Sequence, residues 1–205
     1  MADPRVLVTG VLLAGGRAER MGGRDKGLLP LAGEPLIAHG VRQLKPQVAE
    51  LLISANRHQE MYRRFGCRVV GDDANERFRG PLAGMLAALR VATTPWVLTA
   101  PCDSPLLPPD YAVRMLVALA GTRAAAGVVD AEGGWQPVFA LLSVDLRGDL
   151  AAWLAAGESG VGRWLRRHRP VRVEFSDGPE WFRNVNTPEE LACLEAEWMK
   201  VGSAI

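Results

Sequence analysis

Leu13-Ala14-Gly15-Gly16-Arg17-Ala18-Glu19-Arg20-Met21-Gly22-Gly23-Arg24-Asp25-Lys26-Gly27 is the stretch on which the reading of this chain turns. Before it, Val6 to Leu13 is an apolar run with the length and continuity of a buried strand. After it, Leu36 to Leu44 carries apolar residues at helical spacing. A long glycine-rich crossing from a first strand to a first helix lets backbone N–H groups approach a polyphosphate closely. Arg20 and Lys26 add positive charge where a phosphate would sit. The stretch is not a Walker A loop, since Gly-x-x-x-x-Gly-Lys-Ser/Thr is absent, nor a Gly-x-Gly-x-x-Gly dinucleotide fingerprint. The alternative is an ordinary glycine-rich surface loop, which the ordered combination of glycines and cations disfavours.

Outward from this loop, strands and helices alternate. Val48–Ala55, Arg68–Gly71 and Trp96–Ala100 are short, nearly continuous apolar runs, as parallel strands buried on both faces require. Helical stretches at Leu36–Leu44, His58–Phe65 and Pro81–Val91 separate them. A helix over roughly Asp110–Ala120 follows, then strands near Ala125–Val129 and Gln136–Leu142, helices at Asp145–Ala155 and Val161–Arg167, and a strand at Val171–Phe175. Thr187-Pro188-Glu189-Glu190 is a capping box with proline inside it and starts the last helix. With no linker or repeat dividing the chain, the expectation is one three-layer α/β/α Rossmann-like domain over residues 1–205. Its central sheet is mostly parallel, and ligands lie at the carboxyl ends of the strands.

Bulk properties narrow the function. The chain has 205 residues, 48% of them hydrophobic, and a net charge of +1, so no global field favours nucleic acid or an anionic membrane. Of the 24 cationic residues only Lys26, Lys45 and Lys200 are lysines, and one of these sits in the glycine loop. Cys67, Cys102 and Cys193 are odd in number and far apart, which fits neither a disulfide framework nor a metal cluster and points to a reducing cytoplasm. Thr9-Gly10 interrupts the first apolar run, which is therefore a strand and not a signal core, and no apolar run is long enough to span a bilayer.

Five further segments carry chemistry. Pro101-Cys102-Asp103-Ser104-Pro105 delivers Asp103 to a strand's carboxyl end, where a carboxylate can hold Mg²⁺ and bridge to phosphates. The alternative there is an aspartate capping the next turn. Gly71-Asp72-Asp73 brings Asp72 to the same rim, to orient a base or ribose or to stand as a solvated turn residue. Ser54 and Asn56 end the second strand as possible hydrogen-bonders to a base, and His58 beside them reads as a surface or capping residue. The glycines of Gly80-Pro81-Leu82-Ala83-Gly84 permit close approach of a nucleobase or close helix–sheet packing. Asn184-Val185-Asn186 would put both amides on one face of a strand, suited to a polar second substrate, unless Asn186 only ends the strand and starts the helix. Cys102 reads as a packing residue, and Arg166-Arg167-His168-Arg169 as a solvated helix face lacking the aromatic interleaving of a nucleic-acid site.

In their order from end to end, LAGG, RMGG-x-DKGL, NRHQE, GPLAG, PCDSP and NVNTPEEL resemble the molybdenum cofactor guanylyltransferases (the MobA family), over essentially the full length. The loop and PCD motifs belong to the wider nucleotidyltransferases. DKGL, GPLAG and NVNTPEEL narrow the likeness. The resemblance implies a GTP site made by Leu13, Ala14, Gly15, Lys26, Ser54, Asp72 and Asp103, with Mg²⁺ on Asp103. It also implies that Arg20 assists near the transferring phosphates and that Asn184 and Asn186 face molybdopterin. Lys26, Asp103 and Arg20 are then the catalytic set. The chain departs from the family in having Ser54 where asparagine is frequent. It also lacks an arginine pair near Glu158-Ser159-Gly160, where Arg163 is the nearest substitute.

The implied reaction moves GMP from GTP to the terminal phosphate of molybdopterin and releases pyrophosphate, with molybdopterin-loading proteins and recipient molybdoenzymes as partners. Two other readings stand beside it. One is a cytidylyltransferase or sugar-1-phosphate nucleotidyltransferase, disfavoured by LAGG in place of LAAG and by the NVNTPEEL tail. The other is a non-catalytic nucleotide-binding protein for cofactor delivery, disfavoured by the presence of both Lys26 and Asp103.

Overall fold

A computed structural model describes residues 4–15, 25–72, 80–131, 134–178 and 180–202. Strand β1 (Val8–Leu13) leads to a small hairpin, β2 (Pro30–Leu31) and β3 (Glu34–Pro35), and then to helix α1 (Leu36–Leu44). Next come β4 (Glu50–Ser54), α2 (Gln59–Arg63), β5 (Arg68–Val70), α3 (Pro81–Val91), β6 (Trp96–Pro101) and α4 (Tyr111–Leu119). The second part holds β7 (Ala126–Ala131), β8 (Gly134–Ser143), α5 (Arg147–Ala155), α6 (Val161–Arg167), β9 (Val171–Glu174) and α7 (Pro188–Gly202).

Seven strands form one sheet in the order β5-β4-β1-β6-β8-β7-β9. The strands of β5, β4, β1 and β6 pair in parallel, as do β7 and β9; only β8 runs against its neighbours. The reversal arises because β7 and β8 form a tight hairpin, with Ala131 opposite Gly134 and a register shift between Val128 and Val129. The sheet is mostly parallel, as the sequence leads one to expect.

Every residue of β1 is buried, and alternate side chains serve opposite faces. Val8 and Leu12 join one apolar cluster with Ile37 and Leu44 of α1 and Tyr111, Met115 and Leu119 of α4. Val11 and Leu13 join another with Leu82, Met85 and Leu86 of α3, Leu150 of α5 and Trp164 of α6. Two filled faces explain why the inner strands read as continuous apolar runs rather than alternating ones. A third cluster, Leu29, Leu31, Leu36, Val185 and Leu194 with Trp198 packed against it, fastens α7 to the hairpin.

Boundaries differ locally for identifiable reasons. Helix α2 is shorter than its apolar pattern, because His58 enters it at φ 50° and Gly66 follows it at φ 66°. The stretch expected to be helical from Asp145 opens with a short 3-10 turn, Val144–Leu146, in which Ser143 Oγ accepts from the Asp145 amide at 3.2 Å. No helix among the described residues is long and apolar enough to cross a membrane.

Candidate active site

The carboxyl ends of the inner strands are stitched one residue beyond the sheet. The amide of Cys102 donates to Leu13 O (3.0 Å), that of Ala14 to Ser54 O (2.8 Å) and that of Ala55 to Val70 O (2.9 Å). Above this edge lies a cleft of about 560 Å³. Leu13, Ala14 and Gly15 form its floor at the end of β1; Ser54, Asp72 and Asp103 come from the ends of β4, β5 and β6; and Lys26, Asn184 and Asn186 reach it from loops. The structure thus brings together every site residue expected from the sequence except Arg20, which lies with the rest of 16–24 outside the described residues.

Lys26 joins the parts. Its ammonium donates to Asp103 Oδ2 at 3.0 Å and to Asn186 Oδ1 at 2.9 Å, linking positions 77 and 160 residues apart in sequence. Lys26 and Asp103 are mostly buried, with side chains 21% and 14% exposed. Desolvation of this kind strengthens the attraction of a cation for phosphate oxygens. The Asp103 carboxylate lines the cleft in direct contact with Lys26. As a hard oxygen donor beside an ammonium group it fits Mg²⁺, which is held through one or two carboxylates together with substrate phosphates. Among the described residues no cluster of three or more His, Cys, Asp or Glu side chains forms a cage for a metal by itself.

On the opposite wall, Asp72 and Asn56 hold each other: Asn56 Nδ2 donates to Asp72 Oδ2 (2.6 Å) and the Asp72 amide donates to Asn56 Oδ1 (2.9 Å). The reciprocal pair fixes an acceptor carboxylate at the cleft. Ser54 is buried against α3, and a Cβ on Gly84 would stand 2.6 Å from Ser54 Oγ and 2.9 Å from Leu13 Cδ2. Gly84 therefore serves helix–sheet packing, one of its two sequence readings, and it also lines the cleft. The α3 N-terminus opens toward the cleft at Gly80 (φ 74°) and Pro81, with no acidic residue in its first turn, so its amide dipoles favour an anion or a carbonyl there.

Beneath Lys26 is a support that sequence reasoning missed. Asp25 accepts from the Tyr62 hydroxyl and, at 2.9 Å, from His58 Nδ1. Tyr62 is fully buried, and burial, followed by the neighbouring Cys102 and Asp25, pushes its hydroxyl well above the ordinary tyrosine range; it acts as a donor only. Gly27 leaves room for this hydroxyl, since a Cβ would lie 2.6 Å from it. His58, expected as a surface or capping residue, is exposed at the N-cap position of α2; it makes no side-chain cap bond there and also helps hold Asp25. The only sequence signal was the Asp-Lys-Gly order itself. Burial raises the Cys102 thiol well above its usual value, so it remains a packing group and not a nucleophile.

Asn184 and Asn186 do both line the cleft, but not from a strand. Residues 183–186 have no sheet pairing of their own. They are held to the loop after β6 by Val185 N donating to Asp103 O (2.8 Å) and by Ser104 Oγ donating to Asn184 Oδ1. Val185 between them is buried in the third cluster, so alternation survives without a ladder. At their far end the expected capping box forms: the Glu190 amide donates to Thr187 Oγ1 (3.1 Å), and Glu190 Oε2 accepts from the amides of Asn186 (2.6 Å) and Thr187 (3.3 Å).

Arg163, the nearest substitute for the missing arginine pair, is not among the residues lining the cleft. It pairs with Glu158 at 2.6 Å and donates to Ser159 O at 2.9 Å, away from the residues lining the cleft. The basic run of α6 is also less bare than it reads: Arg166 lies 5.6 Å from the Trp135 ring and Arg167 4.9 Å from the Trp153 ring, aromatics supplied by other elements.

With this geometry in place, the chain can be set beside known proteins. The MobA-like NTP transferase domain family matches residues 10–172. A molybdenum cofactor guanylyltransferase of Burkholderia ambifaria is 50% identical over 202 residues, covering 94% of this chain and 98% of that one. One from Shewanella pealeana is 46% identical over 183 residues, covering 89% and 91%. Among solved structures, the molybdopterin-guanine dinucleotide biosynthesis protein A of Archaeoglobus fulgidus superposes with a TM-score of 0.76 at 21% identity, covering 94% of this chain and 99% of that one. A 4-diphosphocytidyl-2C-methyl-D-erythritol synthase of Anaerococcus prevotii does so at 0.75 with 9% identity, covering 96% and 98%. These last two likenesses concern the fold.

Proposed function

The chain belongs to the MobA-like NTP transferase family, and on that premise we propose that it transfers GMP from GTP to molybdopterin, forming the guanine dinucleotide and releasing pyrophosphate. The observation that carries the reading is the Lys26 ammonium bonded at once to Asp103 and to Asn186, which puts a nucleotide-type rim and a separate polar segment on one cleft. The cytidylyltransferases share the fold but not the sequence; the half-identical relatives are guanylyltransferases.

In this reading the parts divide the labour. The N-terminal part binds GTP, with the backbone of Leu13, Ala14 and Gly15 beneath the phosphates, Lys26 and Arg20 against their charge, and Ser54, Asp72 and the α3 N-terminus toward the nucleoside. The C-terminal part binds molybdopterin through Asn184 and Asn186. A phosphate oxygen of molybdopterin forms a bond to the α-phosphorus of GTP while the bond from that phosphorus to the α,β-bridging oxygen breaks. The electron pair leaves with pyrophosphate. The reaction requires no protein nucleophile, and Cys102 beside the cleft is a buried packing residue. Asp103 would hold Mg²⁺, which when bound offsets negative charge on the triphosphate and the leaving pyrophosphate. Catalysis then rests on positioning and electrostatics. Three unpaired cysteines, Cys67, Cys102 and Cys193, suit a reducing cytoplasm. There molybdopterin-loading proteins would supply the acceptor and recipient molybdoenzymes would take the product.

The test is pyrophosphate release on mixing the protein with GTP, Mg²⁺ and molybdopterin, against CTP and ATP as donors. Release with GTP that depends on molybdopterin supports the reading. Release with CTP alone overturns it, and so does GTP binding with no release.

A further inference from the structure

Asp25 stands directly before the lysine that joins the two walls of the cleft, yet its own carboxylate is turned toward α2. It occupies the N-cap position of the 3-10 turn Lys26–Leu28, where an aspartate ordinarily accepts from the first amides, but its side chain makes no cap bond. Both of its oxygens are engaged by α2 instead: Oδ1 accepts from the Tyr62 hydroxyl, and Oδ2 accepts from His58 Nδ1 at 2.9 Å. The carboxylate is only 8% exposed, so these two donors stand in for water.

The donors are themselves fixed. Tyr62 is wholly buried and belongs to the apolar cluster that holds Leu12 of β1 and Cys102 after β6. Its hydroxyl also lies against Gly27, where a Cβ would stand 2.6 Å from the oxygen. One phenol therefore bears on the residues at both sides of Lys26. His58 enters α2 at φ 50°, and its carbonyl accepts from the amides of Met61 (2.9 Å) and Tyr62 (3.2 Å). The turn adds its own bonds, Leu28 N to Asp25 O and Leu29 N to Lys26 O, both 3.1 Å. The backbone around Lys26 is thus pinned from below, while its ammonium reaches Asp103 and Asn186 in the cleft.

Lysine is a point charge on a flexible four-carbon stem, so its aim depends on how firmly its backbone is held. A loose carboxylate at the next residue would also compete for the ammonium and repel a phosphate. We propose that Tyr62 is a positioning residue for the transfer: through Asp25 and Gly27 it fixes the backbone of Lys26 and keeps the adjoining carboxylate engaged, so that Lys26 meets the triphosphate as an aimed charge. His58 completes the hold on Asp25. The proposal rests on the reading that Lys26 serves the nucleotide phosphates.

Only Lys26, Lys45 and Lys200 are lysines, so the Lys26 resonance can be followed by NMR in protein isotope-labelled at lysine Cε and assigned by its absence in Lys26→Ala. Tyr62→Phe and Asp25→Ala are expected to shift or broaden that resonance and to leave those of Lys45 and Lys200 in place. In pyrophosphate release the same two variants should lose roughly tenfold in kcat with the KM for GTP within about threefold, since a loosened cation still meets the ground state but misses the transition state. Added to Lys26→Ala, Tyr62→Phe should cost less than about twofold, because a residue that acts through Lys26 has nothing left to position. Asp25→Asn, which keeps an oxygen for the Tyr62 hydroxyl, should retain at least about a third of wild-type turnover. Thermal unfolding is followed for each variant. An unmoved Lys26 resonance in folded Tyr62→Phe overturns the proposal. So does a loss that recurs in full in the Lys26→Ala background, or a lowered melting temperature with unaltered kcat; each would make Tyr62 a core residue only. Should Tyr62→Phe not fold, Asp25→Ala set against Asp25→Asn carries the same test from the other end of the bond. The resonance needs no substrate, so a wild type that releases no pyrophosphate overturns the reaction, whereas a Lys26 signal that no longer follows Tyr62 overturns the positioning.

Discussion

The rim that carries Ser54, Asp72 and Asp103 and the segment that carries Asn184 and Asn186 meet in one cleft but are built in opposite ways. The rim residues stand at the ends of parallel strands whose ladders continue one residue past the sheet, and two apolar layers clamp those strands. The asparagine segment has no ladder. Single hydrogen bonds to the loop after β6, the burial of Val185 and the cap of α7 hold it in place. The rim is therefore intrinsic to the sheet, whereas the asparagine segment depends on what it leans against. Among the described residues, Lys26 is the one cation that bonds to both.

The largest effect expected is at the rim. Asp103→Asn keeps the Lys26 contact through its side-chain oxygen and leaves the fold intact, yet removes the charge that would hold Mg²⁺. Turnover should fall by roughly two to three orders of magnitude, the scale for losing one preorganised electrostatic element. Turnover near wild type at saturating Mg²⁺ would sink the metal role.

Lys26→Ala strikes the bond between the two regions and should not respect their division. Two charge-assisted hydrogen bonds vanish, and a lost bond of this type costs about 1.5–3 kcal/mol. GTP affinity is expected to drop by roughly tenfold to a hundredfold, and molybdopterin affinity to drop with it, while the melting temperature falls by about 2–4 °C for each kcal/mol lost. Loss confined to GTP would show that Lys26 does not couple the regions. A large drop in melting temperature with unchanged GTP binding would make it a structural residue.

The same contrast sets what was legible in the sequence. Strand ends are written as short apolar runs followed by glycine or a polar residue, so Ser54, Asp72 and Asp103 could be placed on the ligand side of the sheet before any coordinates. Helix α7 announced itself through Thr187-Pro188-Glu189-Glu190. The asparagines were expected at the cleft, which they line, but from a strand that does not form, because the sequence does not say which neighbour pairs with this segment. Asp25, Tyr62 and His58 escaped notice because their partnership crosses 33 to 37 residues and follows no local period. Arg163 was offered to the site by proximity in sequence to a missing arginine pair, but Glu158 and Ser159, nearer still, claim it.

Asn184→Ala with Asn186→Ala tests the acceptor side alone. Each lost amide contact is worth roughly 1 kcal/mol, so molybdopterin should bind about tenfold or more weakly in the double variant while GTP stays near wild type. Because Ser104 donates to Asn184, Ser104→Ala serves as the companion: it removes the support and leaves the amide, and should cost less than the double change. Equal weakening of GTP and molybdopterin would mean that the asparagines only brace the rim.

The smallest effect is expected outside the cleft, at Glu190, and it bears most directly on the claim that the acceptor side is the dependent one. The carboxylate of Glu190 accepts from the amides of Asn186 and Thr187, so it closes the cap of α7 and fixes the backbone from which the Asn186 side chain extends toward Lys26. Glu190→Ala removes that cap at a cost of about 1 kcal/mol, which for a chain of this size lowers the melting temperature by about 2–4 °C. If the segment is held by such bonds and not by the sheet, the loosened Asn186 should raise the KM for molybdopterin about two- to fivefold and leave the KM for GTP and the turnover at saturation unchanged. Glu190→Gln, which keeps an acceptor oxygen, should recover most of both losses. A melting temperature lowered as expected with no change in the molybdopterin KM would show that Val185 and the Asp103 carbonyl alone fix the asparagines. The acceptor side would then be as well founded as the rim.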